Sequence, residues 1–241
     1  MKIVFLGTSH GIAEKGRFRT SMVLETEQAS YIIDLGAPIG TLMKNHGISF
    51  TKVRAAFITH MHSDHAIDIN EYAGWCSIFE EQRSLYLPEK EDIKFVEDWI
   101  YAMHSEESYA RGKCILKNVE AGEFYNDGNI KVTAIETHHL KRGKSFAYMV
   151  EGEGKKILFT GDLQDSFSDY PQIAFEEEFD AIICELTHFD VGESLSKLNE
   201  SKTRRIIFNH VRDDKIQALK DCSTDVRYDY HISNDGDTVI I

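Results

Sequence analysis

Only three prolines occur among 241 residues, with a moderate sixteen glycines, which argues against collagen-like, proline-rich or long disordered segments. No apolar run approaches the roughly 20 residues needed to cross a bilayer. The opening MKIVFLGTSHGIAEKG holds too short an apolar stretch for a secretory signal and reads as a core strand followed by a glycine-bearing turn. The four cysteines, Cys76, Cys114, Cys184 and Cys222, are scattered with no CxxC pair. They read as reduced residues of a cytoplasmic protein, with pairing left open. Positive charge is also scarce. Lys and Arg number 27 against 40 Asp and Glu, a net charge of −13, which works against broad contact with a nucleic-acid backbone. A small anion is still allowed where bound metal ions would reverse the local field. There is no internal repeat, low-complexity tract or Gly/Pro/Ser-rich linker.

What is present is an ordinary globular balance, 42% hydrophobic and 28% charged, in a chain long enough for one sizeable core. Short runs rich in Val, Ile and Leu predict strands at Lys2–Leu6, Ser21–Glu25, Tyr31–Asp34 and Val53–Thr59. Further strands are expected at Ile130–Glu136, Ser145–Glu151, Lys156–Thr160, Ala181–Glu185, Arg205–Asn209 and Thr238–Ile241. Helices are expected at Ile39–Asn45, Ile173–Glu178, Glu193–Ser201 and Asp214–Cys222. From Asp64 to about Ala110 the pattern turns helical and aromatic, with Trp75, Phe79, Phe95, Trp99, Tyr101 and Tyr109, broken by a strand-like Ser84–Pro88. A helical lid or interface element over about 66–110 is one reading; plain core packing by the same aromatics is the other. Strands and helices in both halves predict a single α/β sandwich domain over 1–241, with functional loops at one edge.

The strongest local signal is His60-Met61-His62-Ser63-Asp64-His65, directly after an apolar strand. Alternate residues of an extended segment face one side, so His60 and His62 can converge on one ion. If the chain then turns, Asp64 and His65 can reach a second. Three more strands run into ligand types: Val132–Thr137 into His138-His139, Lys156–Thr160 into Gly161-Asp162, and Arg205–Asn209 into His210. Each alone is weak, but together they offer the donors of a binuclear site, with the two oxygens of Asp162 able to bridge. Two divalent ions are therefore the expected cofactors. Zinc suits imidazole-rich ligation, and the ligand types also allow manganese or iron.

The HxHxDH pattern resembles the metallo-β-lactamase-fold hydrolases. That resemblance implies a four-layer αββα sandwich, with His60, His62 and one histidine of the 138–139 pair on the first metal. It implies Asp64, His65 and His210 on the second, with Asp162 between them. In related members the ligand follows a strand of the form V-x-P/A-x-x-x-x-H, and that resemblance, counted from Val132 through Ala134, implies His139 as the ligand, leaving His138 behind the ligands or on the substrate side. Phe5-Leu6-Gly7-Thr8, Arg19-Thr20-Ser21, Asp34-Leu35-Gly36, Glu185-Leu186-Thr187 and Asn209-His210-Val211-Arg212 are similar to segments of the ribonuclease Z branch. Where that branch carries a histidine in a GHST segment, this chain reads Gly192-Glu193-Ser194-Leu195. His188 or Glu193 is therefore the expected substitute for that histidine.

No long insertion resembles the arm that grips transfer RNA in that branch, so transfer RNA is not the expected partner. A small or cyclic phosphodiester, attacked by metal-bound hydroxide with Asp64 holding the nucleophile, is the expected substrate. Arg19, His138, Lys141, Arg142, Lys144 and Arg212 are the candidate phosphate contacts. A ribonuclease Z-like endonuclease, an ester or lactone hydrolase, and a catalytically silent metal scaffold stay open as alternatives. The aromatic region also leaves a homodimer open, and no membrane partner is expected.

Overall fold

Residues along the strands alternate between two apolar environments, and that alternation sorts the molecule into layers. In a computed structural model, backbone is described for residues 1–12, 14–79, 82–110 and 114–241, and side chains for all of these except 104–110. The first sheet contains β1 (Lys2–Gly7), β2 (Ser21–Glu25), β3 (Ser30–Ile33), β4 (Val53–Phe57), β5 (Arg83–Leu87), β6 (Cys114–Asn118) and β14 (Thr238–Ile240). Its order is β14-β1-β2-β3-β4-β5-β6. The second contains β7 (Gly122–Asn126), β8 (Ile130–Thr137), β9 (Ser145–Gly152), β10 (Lys155–Phe159), β11 (Ala181–Leu186), β12 (Arg205–Val211) and β13 (Asp229–Ile232). Its order is β13-β12-β11-β10-β9-β8-β7.

Ile3, Phe5, Tyr31, Phe57, Phe146, Tyr148, Ile157, Phe159 and Ile183 form the core between the sheets. Their strand neighbours point outward. Val4, Leu6, Ile32 and Ala56 meet α1 (Ile39–Asn45), α2 (Ser63–Ala66), α3 (Ile69–Ile78) and α4 (Lys90–Ala110). Ala147, Leu158, Ile182 and Phe208 meet α5 (Ile173–Glu176), α6 (Val191–Glu200) and α7 (Asp213–Asp221). Two mixed sheets between two helical layers make the αββα sandwich of the metallo-β-lactamase fold. The buried Tyr148 hydroxyl donates to the Ile58 carbonyl at 2.5 Å, tying the second sheet to the segment that leads into the histidine cluster.

The Ser84–Pro88 run is a strand, as its pattern predicts. It is β5, paired in parallel with both β4 and β6. The helices on either side of it, α3 and α4, bury Ile69, Tyr72, Ala73, Cys76, Val96 and Ile100 against the sheet. The Tyr109 side chain lies outside the described residues. Three strands escape the sequence reading, β6, β7 and β13, and all three are sheet edges. Edge strands are half-solvated, so they lack the dense apolar run that marks a central strand. In both sheets a block of parallel strands, β3 to β6 and β10 to β13, sends its carboxyl ends to one edge, where ligand-binding loops of such sheets gather.

Candidate metal centre

Beyond β4 the chain bends at Thr59 and runs on through His60 to His62, whose ψ of 147° leads into the single turn of α2. Extension keeps His60 and His62 on one side, and the turn swings Asp64 and His65 round to join them. Close packing makes this possible. A Cβ on Gly36 would lie 1.6 Å from the Asp64 carbonyl oxygen, so only glycine lets the segment after β3 run against α2. The Leu35 amide there donates to the His65 carbonyl at 2.7 Å.

Asp162, just past β10, lies at the middle of the cluster. Its Oδ2 is 3.7 Å from His60 Nε2, 3.4 Å from His65 Nε2 and 3.7 Å from His139 Nε2. Its Oδ1 is 3.5 Å from His210 Nδ1. His62 Nδ1 lies 3.3 Å from His139 Nε2, and Asp64 Oδ2 lies 3.6 Å from His65 Nε2 and 3.1 Å from His210 Nε2. Two ligands on one tetrahedral zinc stand about 3.4 Å apart, given bonds of about 2.0–2.1 Å, so these are the separations of donors that share an ion. His60, His62, His139 and Asp162 form one such group, and Asp64, His65 and His210 a second. Among the described residues, His60 Nε2, His65 Nε2, Asp162 Oδ1 and His210 Nδ1 find no hydrogen-bond partner although buried. Buried polar atoms are otherwise nearly always satisfied, so this donor set fits divalent metal.

Partners behind the cluster set which ring nitrogen faces in. Asp34 takes His65 Nδ1–H at 2.8 Å and the Thr59 amide at 2.8 Å. Thr59 Oγ1 donates to Asp34 and stands 3.1 Å from His60 Nδ1. His139 Nδ1 donates to the Leu163 carbonyl at 3.1 Å. All three rings thereby offer Nε2 to the cluster. Asp34 itself holds φ at 62°, a left-handed conformation that Asp tolerates better than most residues.

A bulge delivers His210. Glu185 pairs with Asn209 but Leu186 pairs with Val211, so His210 is the extra residue on β12, at φ 52°. Bulges next to active sites re-aim a side chain in this way, and the Thr187 hydroxyl secures this one by donating to the His210 carbonyl.

Charge in the cluster is interdependent. Burial, with neighbouring histidines, holds His60 and His62 below the ordinary histidine range, in the neutral form that ligates metal. Burial would raise Asp64 and Asp162, but His210 and His65 outweigh it and hold both carboxyls low. His65, where burial opposes charge, is raised by Asp162 and Asp34. Buried carboxylates thus call for cationic charge at the position the divalent ions would share.

His188, half-buried after β11, places its ring 4.6 Å from His139 and 5.4 Å from His210. Its Nδ1 is 2.8 Å from Glu185 Oε2. Burial disfavours its charge, yet Glu185 prevails and holds the pKa up at about 9. Glu185 is buried and also accepts the Leu163, Thr187 and His188 amides. It therefore locks the Asp162 loop to the end of β11.

Other residues singled out by sequence lie elsewhere. Glu193 is not brought into the cluster. It is exposed on the first turn of α6, where its amide is capped by Asp190 at 3.0 Å. His138 is exposed beside the cluster, and its amide donates to Asp169. Lys141, Arg142 and Lys144 are exposed on the loop that follows His139, with the Lys144 amide held by Glu89 at 2.7 Å. Arg212 is paired through Nε and Nη2 with Asp214. Arg19 is half-buried, and its carbonyl would lie 1.8 Å from a Cβ on Gly7. The sequence assigns no role to Asp34, Thr59 or Glu185, although all three sit in segments that it marks, as a strand end or a motif. It passes over His10 altogether.

Comparison with known proteins agrees with this architecture. Ribonuclease Z of Thermosynechococcus vestitus is 29% identical over 158 residues, covering 64% of this chain and 37% of that protein. Ribonuclease Z of Bacillus subtilis is 29% identical over 157 residues, 63% of this chain and 49% of that one. The chain thus spans about half, or less, of the length of these curated relatives. Among solved structures, the short form of human tRNase Z (ELAC1) matches with a TM-score of 0.73 at 20% identity, over 100% of this chain and 99% of that one. The metallo-β-lactamase fold protein YhfI of Bacillus subtilis gives 0.78 at 17%, over 99% and 98%. A diphosphatase of the PhnP family gives 0.71 at 16%, over 100% and 97%. These are likenesses of fold, and the fold is that of the metallo-β-lactamases. Residues 1–227 match the family described as anti-Pycsar protein Apyc1, and the chain belongs to that family.

Proposed function

We propose that this chain hydrolyses a small phosphodiester, a cyclic one above all, at two divalent ions held by His60, His62, His139 and Asp162 and by Asp64, His65 and His210. The observation that carries this reading is a pair of donor groups, His60, His62, His139 and Asp162 beside Asp64, His65 and His210, with Asp162 also within 3.5 Å of His65 and His210 and with unsatisfied buried atoms in both groups. When bound, such ions activate water near neutral pH and offset the charge that develops on phosphorus; zinc is the preferred identity for so many imidazoles. The rest falls to the chain. Asp64 orients the attacking water. His188, its Nδ1 held by Glu185 and 3.8 Å from Asp162 Oδ2, stands beside the cluster as the acid that protonates the leaving oxygen. The exposed cations Lys141, Arg142 and Lys144 sit on the loop joined to His139, and they supply the phosphate contact that a chain of net charge −13 otherwise lacks. Arg212 would first have to leave Asp214.

A second reading, RNA cleavage of the ribonuclease Z kind, is favoured by relatives that share more than 60% of this chain. One screen separates the two. Metal-defined protein is offered cyclic mononucleotides, a linear dinucleotide, a transfer-RNA precursor and a lactone, with His62→Ala as the control. Cyclic phosphodiester turnover that a chelator abolishes and zinc or manganese restores is the expected result. Preferential cleavage of the precursor moves the assignment to the second reading. Lactone turnover alone, or none at all, overturns both.

A homodimer is also proposed, because α3 and α4 leave Ile78, Phe79, Phe95, Tyr101 and Met103 exposed on the side away from the sheet. Sedimentation equilibrium with and without Phe95→Glu tests it, and a monomeric parent removes the idea. Among the described residues no helix is long and apolar enough to cross a membrane.

A further inference from the structure

Among the buried histidines of the cluster, His210 is unusual. His60, His65 and His139 are each pinned from behind by a hydrogen bond to Thr59, Asp34 or Leu163. Among the described residues, the ring nitrogens of His210 have hydrogen-bond or ion-pair contacts only with Asp64 and Asp162, and both are members of the cluster. Its backbone conformation is also the strained one, with φ at 52°. Something other than a hydrogen bond must hold this ring.

Three rings among the described residues pack on it: those of His65 at 4.9 Å and His188 at 5.4 Å, which border the cluster themselves, and that of His10, on the loop between β1 and β2 and outside the donor groups. His10 is 6% exposed, and its ring meets the His210 ring edge-on at 6.3 Å and 76°. His10 Nε2 lies 3.1 Å from Glu14 Oε1, and His10 Nδ1 accepts from the Ile12 amide at 3.4 Å. With both nitrogens engaged inside its own loop, this histidine is built to support rather than to ligate. The next residue, Gly11, packs on the second donor of the same group: a Cβ there would meet Asp64 Oδ2 at 3.4 Å. The loop is itself clamped. Arg17 donates to Thr8 Oγ1 at 2.6 Å, to the Ser233 carbonyl at 2.8 Å and to Asn234 Oδ1 at 3.1 Å. The Val211 amide, one residue past the bulge, donates to the Thr8 carbonyl at 2.7 Å.

We propose that His10 is the positioning residue of His210, holding its ring in the ligating orientation by packing, with Glu14 holding His10 and Arg17 holding the loop that carries it. The inference rests on the two-metal reading above and concerns its Asp64, His65 and His210 half. Outer partners of metal ligands are commonly worth about 10–100-fold in metal affinity, and His10 fills that role without a hydrogen bond.

The test is zinc affinity, read by competition between apoprotein and a chromophoric chelator, with the visible spectrum of the cobalt(II)-loaded protein as a second readout. Wild type is expected to take two ions. His10→Ala is expected to weaken one of them about 10–100-fold and to alter the cobalt spectrum. His10→Phe, which keeps an aromatic edge against His210, should restore most of the affinity. Should His10→Ala not fold, Glu14→Ala, at a partly exposed position, is expected to cause a smaller loss at the same ion. Two ions bound by His10→Ala or Glu14→Ala with wild-type affinity would overturn the role of His10 alone. Fewer than two ions bound by wild type would overturn the metal reading beneath it.

Discussion

Asp34 Oδ2 stands 2.8 Å from His65 Nδ1 while its partner oxygen accepts the Thr59 amide at 2.8 Å, so one buried carboxylate sets the orientation of both the DH and the leading histidine of the HxHxDH segment. Asp34→Asn replaces an acceptor with an amide that can donate, and it unsettles the ring facing it. Zinc affinity is expected to fall about 10–100-fold and folding stability by about 1–3 kcal/mol from unmet buried donors. Chelator competition and urea denaturation read the two effects; unchanged zinc affinity would count against the orienting role.

Removing metal should loosen the fold as well as stop turnover, since Asp64 and Asp162 are buried carboxylates in need of cationic charge. Free zinc at about 100 times its dissociation constant should add about 2.7 kcal/mol of stability. Thermal unfolding in zinc and in chelator measures this, and coincident curves would contradict a metal centre.

Gly36→Ala should be among the most damaging single-methyl additions in the chain. Its Cβ would lie 1.6 Å from the Asp64 carbonyl oxygen and 2.8 Å from that of Thr20. Both obstacles are backbone, so relief requires α2 itself to shift. A loss of about 2–3 kcal/mol is expected by overpacking, accompanied by lost zinc binding. Wild-type stability in denaturant would refute the close approach.

His188→Ala should lower kcat about 100- to 10,000-fold for a substrate with a poor leaving group, and far less for a nitrophenyl ester that needs no protonation. Metal content should stay at the wild-type level. An equal loss on both substrates, or loss of an ion, would make His188 a ligand rather than the acid.

Acid sensitivity should arise at the opposite side of the sandwich, at Asp127. Burial raises this carboxyl, but Tyr31 (2.6 Å), the Ile130 and Asn129 amides and Arg54 (2.9 Å) together hold it below the usual range. A folded pKa below the unfolded value of about 3.9 gives stability that is complete above about pH 4 and lost as pH falls through the folded value. Asp127→Asn should therefore lower stability at neutral pH and flatten its decline in acid. A parallel decline in both proteins, followed by circular dichroism from pH 6 to pH 2, would rule Asp127 out.

How far the sequence carried depended on the range of each interaction. Central strands such as β1, β4 and β11 were legible because burial on both faces leaves dense apolar runs. Edge strands such as β7, with the sequence GEFYN, were not. α6 was legible through Leu195 and Leu198, but its start was placed two residues late, because Val191 and the Asp190 cap lie before Glu193. Glu193 attracted attention by its place in a motif; its position on a solvent-facing first turn depends on how α6 docks, which no local pattern reports.

By itself the sequence determined the layered architecture and the donors within six residues, since a period of two and the spacing HxHxDH are properties of one short segment. The family pattern already favoured His139 over His138, but only the tertiary structure made a bulge of His210 and brought Asp34, Glu185 and His10 behind the cluster. Those contacts join residues from 3 to about 200 positions apart, and their energies come from burial and from polar groups that must be satisfied once water is excluded. Such pairings exist only after the sheets have closed on each other.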